Sequence, residues 1–257
     1  MASQPYEYYG LMVQYWDLLR GDTSRWADRF MFLDLIQKYG QPVLDVGCSS
    51  GRLILDFLAQ GIDMDGVDIS PEMIALCETN AARKRLTPKL YNQSMIDLNL
   101  PRKYKTILVP SSSIQLLLKP NEPQQAMKRF FEHLEPGGAL IAPFMTLWVE
   151  GDPVDSGFTQ EAARPEDGAT VRRTAWSRYN LETKMEDTHD LWEIIKDGVQ
   201  IQSETHNQSP ATLSYTQGEA KALFVEAGFV DVQVYSEFTF DPVKPSDTLF
   251  TLVGVKP

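Results

Sequence analysis

A chain of 257 residues, 43% of them hydrophobic, is long enough to bury a sizeable core in one elaborated domain. Its 24 Lys and Arg against 35 Asp and Glu leave a formal charge of −11, which argues against a nucleic-acid backbone or an anionic membrane as partner and favours a small molecule. Cys48 and Cys77 have neither disulfide-framework density nor metal-ligand spacing, no long apolar run occurs, and MASQPYEYYG is no signal peptide, so a cytoplasmic protein with reduced thiols and no metal is expected.

Apolar positions at helical spacing over Tyr9 to Leu19 predict a first helix, and a second is expected from Ser24, as N-cap, to Tyr39, ended by Gly40 and Pro42. Pro42 to Val46 reads as a strand, Arg52 to Gln60 as a helix stopped by Gly61, and Met64 to Ile69 as a strand, together a βαβ unit. Ser70 caps a helix with Pro71 in its first position, running to about Leu86, and Lys89 to Gln93 is a third strand. Thr106 to Pro110 and Ala139 to Phe144, either side of a helix from Glu122 to Leu134, are apolar without alternation, the mark of a parallel sheet covered on both faces.

The pattern breaks after Met145. Gly151 to Gly168, rich in Gly, Pro and acids, reads as a mobile loop. Thr170 to Tyr179, Glu186 to Lys196 and Val199 to His206 read as polar, half-exposed strands, with hairpin turns at Asn180 to Lys184 and at Asp197 and Gly198. An antiparallel sheet inserted over roughly residues 146–215 is expected. Helix returns from Thr216 to Ala227, opened by a capping-box pattern of Thr216 and Glu219, and Val230 to Phe238 and Thr248 to Val255 close the chain as strands.

The most informative stretch is Val43 to Leu53, VLDVGCSSGRL, followed at Val67 to Ser70 by VDIS. Gly47 and Gly51 permit a tight turn and close approach of a ligand, and the helix that follows offers free N–H groups. A dinucleotide site of the G-x-G-x-x-G kind matches poorly, since Ser49 holds its second glycine position and Arg52 its third. Gly47-Cys48-Ser49-Ser50-Gly51 also satisfies the G-x-S-x-G elbow of α/β-hydrolases, with Ser49 as nucleophile, yet only helices precede Pro42 where that fold needs earlier strands.

An acid, a loop of G-x-G-x-G type and a second acid ending the next strand are supplied by Asp45, Gly47, Ser49, Gly51 and Asp68, with Ser49 in place of a glycine. In these residues the chain resembles the class I S-adenosylmethionine-dependent methyltransferases. Physical chemistry points the same way, because one carboxylate accepts from both hydroxyls of a ribose in charge-assisted bonds worth about 1.5–3 kcal/mol. The plainer reading, Asp45 and Asp68 as caps of helices or turns, stands beside it.

The resemblance implies a Rossmann-like, doubly wound, mostly parallel seven-stranded α/β fold formed by residues 1–145 and 216–257, with residues 146–215 as an antiparallel β lid. It implies S-adenosylmethionine held by Asp45, Gly47, Cys48, Ser49 and Gly51, by Asp68 and Ile69, by Ser94 and Met95 in QSMIDL, by Pro110 in TILVPSSSIQ and by Tyr15, which with Asp17 lies in an aromatic N-terminal helix. The insertion resembles that of amino-sugar N-methyltransferases and glycine N-methyltransferase-like enzymes, which makes Trp148, Trp176 and Arg178 acceptor-binding candidates; packing or a homodimer contact is the alternative for such side chains. The implied activity is in-line transfer of a methyl group to a nitrogen or oxygen of a small molecule, leaving S-adenosylhomocysteine. No side chain is obligatory for a pre-activated methyl group, and His133, His189 and His206 are bases by residue type alone. A cofactor-binding module with a protein-interaction insertion is the non-enzymatic alternative.

Overall fold

The computed structural model describes residues 8–257, apart from the side chains at 208–210. In chain order the elements are α1 (Gly10–Arg20), α2 (Ala27–Tyr39), β1 (Val43–Val46), α3 (Ile54–Ala59), β2 (Met64–Asp68), α4 (Pro71–Lys84), β3 (Lys89–Asn92), β4 (Tyr104–Leu108), α5 (Glu122–His133) and β5 (Leu134–Met145). The insertion follows as β6 (Asp155–Ala163), β7 (Thr170–Asn180), β8 (Met185–Lys196) and β9 (Val199–Leu213). The chain then ends with α6 (Gln217–Glu226), β10 (Val230–Ser236) and β11 (Leu249–Val255).

The main sheet has seven strands in the order β3-β2-β1-β4-β5-β11-β10. Neighbours are parallel from β3 to β5, whereas β11 runs antiparallel to both β5 and β10. All four residues of β1 are buried, as an apolar strand covered on both faces requires. One face packs Leu44, Ile107, Phe130, Phe144 and Phe224 beneath α5 and α6, and the other packs Phe32, Val43, Ile54, Phe57 and Ile141 beneath α2, α3 and α4. Between β1 and β4 the strand order reverses, and the crevice that opens there at the carboxyl ends is where open α/β sheets take ligands.

Local chemistry sets most element ends. Ser70 Oγ accepts from the Met73 N–H at 3.1 Å, and Thr216 and Glu219 form the reciprocal capping box. At α2 the start differs from expectation: Trp26 precedes the first turn, and Ser24 donates its N–H to Asp22 Oδ1 at 2.9 Å in the preceding turn.

The insertion folds as a second, four-stranded antiparallel sheet in the order β6-β7-β8-β9. Its first strand lies inside Gly151 to Gly168, the segment expected as a loop. In β6 only Ala162 is even half-buried, so there is no apolar alternation to read. The backbone ladder to β7 and the cross-strand pairs Arg172–Glu161 and Arg178–Asp155 hold it instead. β9 also extends past His206 to Leu213, through a register shift against β8. Leu11, Met12 and Tyr15 of α1 pack on Val171, Trp192 and Ile194 of this sheet. The other side of α1 is tied to the turn after β1 and to α4, where Asp17 accepts from Ser50 Oγ at 2.5 Å and from Asn80 Nδ2 at 2.8 Å.

Candidate active site

A cavity of about 340 Å³ opens at the reversal point. Its floor is the turn after β1, where Gly47, Ser49 and Gly51 have φ of 75°, 53° and 97°. A Cβ on Gly51 would stand 2.8 Å from Cys77 Sγ, which excludes a side chain there, and one on Gly47 would stand 3.1 Å from Ser113 Oγ, a tight contact at a backbone angle that favours glycine. Ser49 adopts the left-handed region without being glycine, a cost offset by its N–H bond to Asp68 Oδ2 at 2.9 Å and its hydroxyl contact to Met73 Sδ at 3.4 Å.

Asp68 closes one side of the cavity and is 8% exposed. Burial pushes its carboxyl above the usual range, partly countered by N–H groups of Ser70, Ser49 and Ile69. Ser49 N and Ser70 N, at 2.9 and 2.8 Å, take one position on each oxygen. A carboxylate has about four such positions, so with the Ile69 N–H also counted about one remains for a ribose hydroxyl. Ile69, Ser94 and Met95 continue the lining beyond it.

Asp45 lies beneath the loop, 1% exposed and outside the lining. Burial pushes its carboxyl up to about 7 against the opposing pull of Arg52, the Ile54 N–H bonds to it at the start of α3, and its Oδ1 has no partner among the described residues. Arg52, in the third glycine position of the dinucleotide pattern, makes a bidentate pair with Asp28 of α2 at 3.0 and 2.5 Å. Cys48 and Gly51 also sit behind the loop; Cys48 is hydrogen-bonded to Cys77, and that bond and burial raise its thiol. Pro110 is buried at the end of β4, where its carbonyl accepts from Ser113 Oγ at 2.7 Å.

The roof differs from expectation. Tyr15 turns away from the cavity into the packing against the inserted sheet, and its hydroxyl accepts from Gln14 Nε2 at 3.1 Å and Arg164 Nη1 at 3.2 Å. Tyr8, Trp16 and Arg20 face the cavity instead. Adjacent helical residues point about 100° apart, so naming Tyr15 rather than Trp16 misses the face; the spacing of Trp16 and Arg20, four apart, was the available signal. The Arg20 guanidinium lies 4.7 Å from the Trp16 ring centre and 5.9 Å from that of Trp26. Burial, then Arg52, holds its pKa below the usual range. Asp17 and Asp28 act on Arg20 only through their charge, with no ion pair at contact distance among the described residues, and Trp16 Nε1 has no hydrogen-bond partner there. These donors suit a carboxylate.

The far side is neutral. Ser111, Ser112 and Ser113, Leu116, Met145 and Thr212 line it, with φ of 54° and 55° at Ser111 and Ser112. Gln115, fully buried, ties this side together: Nε2 donates to Met145 O at 3.0 Å and Leu213 O at 2.6 Å, and Oε1 accepts from Met145 N at 2.6 Å. No local pattern marks Gln115 or Thr212 as neighbours of the site, because their meeting depends on the ends of the insertion.

Trp148, Trp176 and Arg178 do not line the cavity. Trp148 donates Nε1–H to Asp152 O at 2.9 Å and stacks on Tyr179, Trp176 is 46% exposed against His189, and Arg178 pairs with Asp155. Among the described residues no histidine lines it either. His133 Nε2 accepts from Leu100 N at 3.0 Å, so its Nδ1–H faces Arg129 O at 2.8 Å. His206 sits between Tyr9 and Glu204. Ser49 therefore lacks the base that a hydrolase nucleophile needs. Among the described residues no His, Cys and carboxylate group fits a metal ion, and no helix is long and apolar enough to cross a membrane.

Residues 43–138 match the family described as Methyltransferase domain. Over 188 residues, 72% of this chain and 74% of the relative, the sequence is 31% identical to dTDP-3-amino-3,4,6-trideoxy-α-D-glucopyranose N,N-dimethyltransferase of Streptomyces venezuelae. The structure of Streptomyces venezuelae DesVI superposes with a TM-score of 0.72 at 25% identity, covering 97% of this chain and 100% of that one. The sugar N-methyltransferase KedS8 from Streptoalloteichus sp. gives 0.73 at 21% identity, over 100% and 98% of the two chains, a likeness of fold.

Proposed function

The chain belongs to the class I S-adenosylmethionine-dependent methyltransferases and methylates a small-molecule acceptor, and we propose that the methyl group goes to the amine nitrogen of a sugar-like compound. S-adenosylmethionine supplies a methyl group already activated on a positively charged sulfur. The observation that carries the nitrogen assignment is the neutral far side of the cavity, where Ser111, Ser112, Met145 and Thr212 offer no base. A hydroxyl acceptor benefits from a base at the moment of attack, whereas a neutral amine brings its own lone pair. The name of the Streptomyces venezuelae relative, an amino-sugar N,N-dimethyltransferase, supports the same choice.

In this reading the chain binds, orients and excludes water. Asp68 takes a ribose hydroxyl, supported by its free acceptor position; Gly47 and Ser49 let the backbone approach; Ile69, Ser94 and Met95 flank the base. Arg20 and the Trp16 N–H take the carboxylate end, and Tyr8 with Trp16 closes the roof. Asp45 and Cys48 act from behind the loop by holding its shape. The same reading keeps the protein cytoplasmic and without a nucleic-acid partner, supported by two buried cysteines not joined in a disulfide and the charge of −11. A homodimer through the inserted sheet belongs to it as well.

The test is product analysis after incubation with S-adenosylmethionine and matched sugars that carry an amino or a hydroxyl group at one ring position. N-methylation of the amino sugars alone is expected, and O-methylation of the hydroxy sugars at a similar rate overturns the assignment. Absence of S-adenosylhomocysteine binding by calorimetry overturns the cofactor site.

A further inference from the structure

The inserted sheet reaches the acceptor side of the cavity through Thr212, and its charge is lopsided. Residues 146–215 hold six Lys and Arg against thirteen Asp and Glu, a charge of −7 within the chain's −11. All six cations have a carboxylate partner: Arg164 and Lys196 share Asp167, Arg172 meets Glu161, Arg173 meets Asp190, Arg178 meets Asp155 and Lys184 meets Glu219. Lys119, just beyond the turn after β4, faces Glu122 at 3.4 Å. Among the described residues the one cation lining the cavity is Arg20, at the opposite, cofactor side. Beside Thr212 on β8 stands Glu186, half-buried, its cross-strand neighbour and without an ion-pair partner among the described residues.

Phosphate groups are held by free guanidinium or ammonium groups and by helix N-termini presenting N–H groups, and a field of one sign raises the local concentration of ligands of the other. The acceptor side of the cavity offers hydroxyls and apolar surface, and the excess negative charge lies on the inserted sheet that reaches it through Thr212. We propose that the acceptor is an amine-bearing small molecule without phosphate or diphosphate, drawn to the site by the negative inserted sheet. This rests on the reading of the cavity as a site of amine methylation. It separates this chain from the Streptomyces venezuelae relative, whose name carries a nucleoside diphosphate on the sugar.

Two acceptors with the same ring decide it: dTDP-3-amino-3,4,6-trideoxy-α-D-glucopyranose and the methyl glycoside of that amino sugar. S-adenosylhomocysteine binding is measured first by calorimetry, and kcat/KM then by methylated product at about 20 mM and about 300 mM salt, since screening weakens exposed charge effects. The methyl glycoside is expected to be at least about ten-fold better, with the KM of the nucleotide sugar falling as salt rises. Glu186→Lys should lower that KM several-fold and leave S-adenosylhomocysteine affinity unchanged. Parity, preference for the nucleotide sugar, or a KM rising with salt overturns the proposal. Methylation of neither, with S-adenosylhomocysteine bound, overturns it together with the amino-sugar reading, whereas failure to bind S-adenosylhomocysteine sinks the cofactor site itself.

Discussion

Replacing Asp45 by Asn keeps the shape of the side chain and removes its ability to ionise. The carboxyl is fully buried, and burial moves its pKa from 3.8 to about 7, so the folded protein disfavours the charged form. The unfolded chain ionises Asp45 near pH 3.8, the folded chain resists until about 7, and stability falls as pH rises through that interval. Each pH unit of the interval costs about 1.4 kcal/mol, so the full penalty above pH 7 is about 4 kcal/mol. No solvent screening discounts it, because the group is 1% exposed. Asp45→Asn should therefore gain stability over the parent by about 2–3 kcal/mol more at about pH 8 than at about pH 5. Urea unfolding at the two pH values measures this, with the slope against denaturant checked for constancy. A difference independent of pH, or one larger at the acidic end, refutes the assignment of a desolvated carboxyl beneath the loop.

Two other substitutions test the walls of the cavity. Asp68→Asn removes the charge of the proposed ribose acceptor and should raise the Kd of S-adenosylhomocysteine about ten- to hundred-fold by calorimetry, from about 1.5–3 kcal/mol of lost charge-assisted bonding; unchanged affinity contradicts the role. Gln115→Leu leaves the Met145 N–H and the Met145 and Leu213 carbonyls without their buried partner and should cost about 2–4 kcal/mol in urea unfolding, with faster amide exchange at Met145; an unchanged exchange rate there shows that Gln115 does not hold the junction.

Much of the site was legible because its signals are local. Gly47, Ser49 and Asp68 line the cavity because a strand, a turn of small residues and the tip of the next strand place them together through short-range geometry. The caps at Ser70 and Thr216 likewise rest on atoms three residues apart. Strand β6 is not legible because exposure on both faces erases alternation, and the resemblance that points to Tyr15 does not show which face of α1 meets the cavity, which docking decides.

The chain by itself determined the βαβ order, the glycine turn with its two acids and the excess of negative charge, all of which are properties of neighbours in sequence. Tertiary structure alone decided that Tyr8, Trp16 and Arg20 form the roof, that Gln115 joins Met145 to Leu213, and that every cation of the insertion is already paired. Those contacts join residues as far as 98 positions apart. Their partners are chosen by how two sheets and α1 pack, which no local pattern carries.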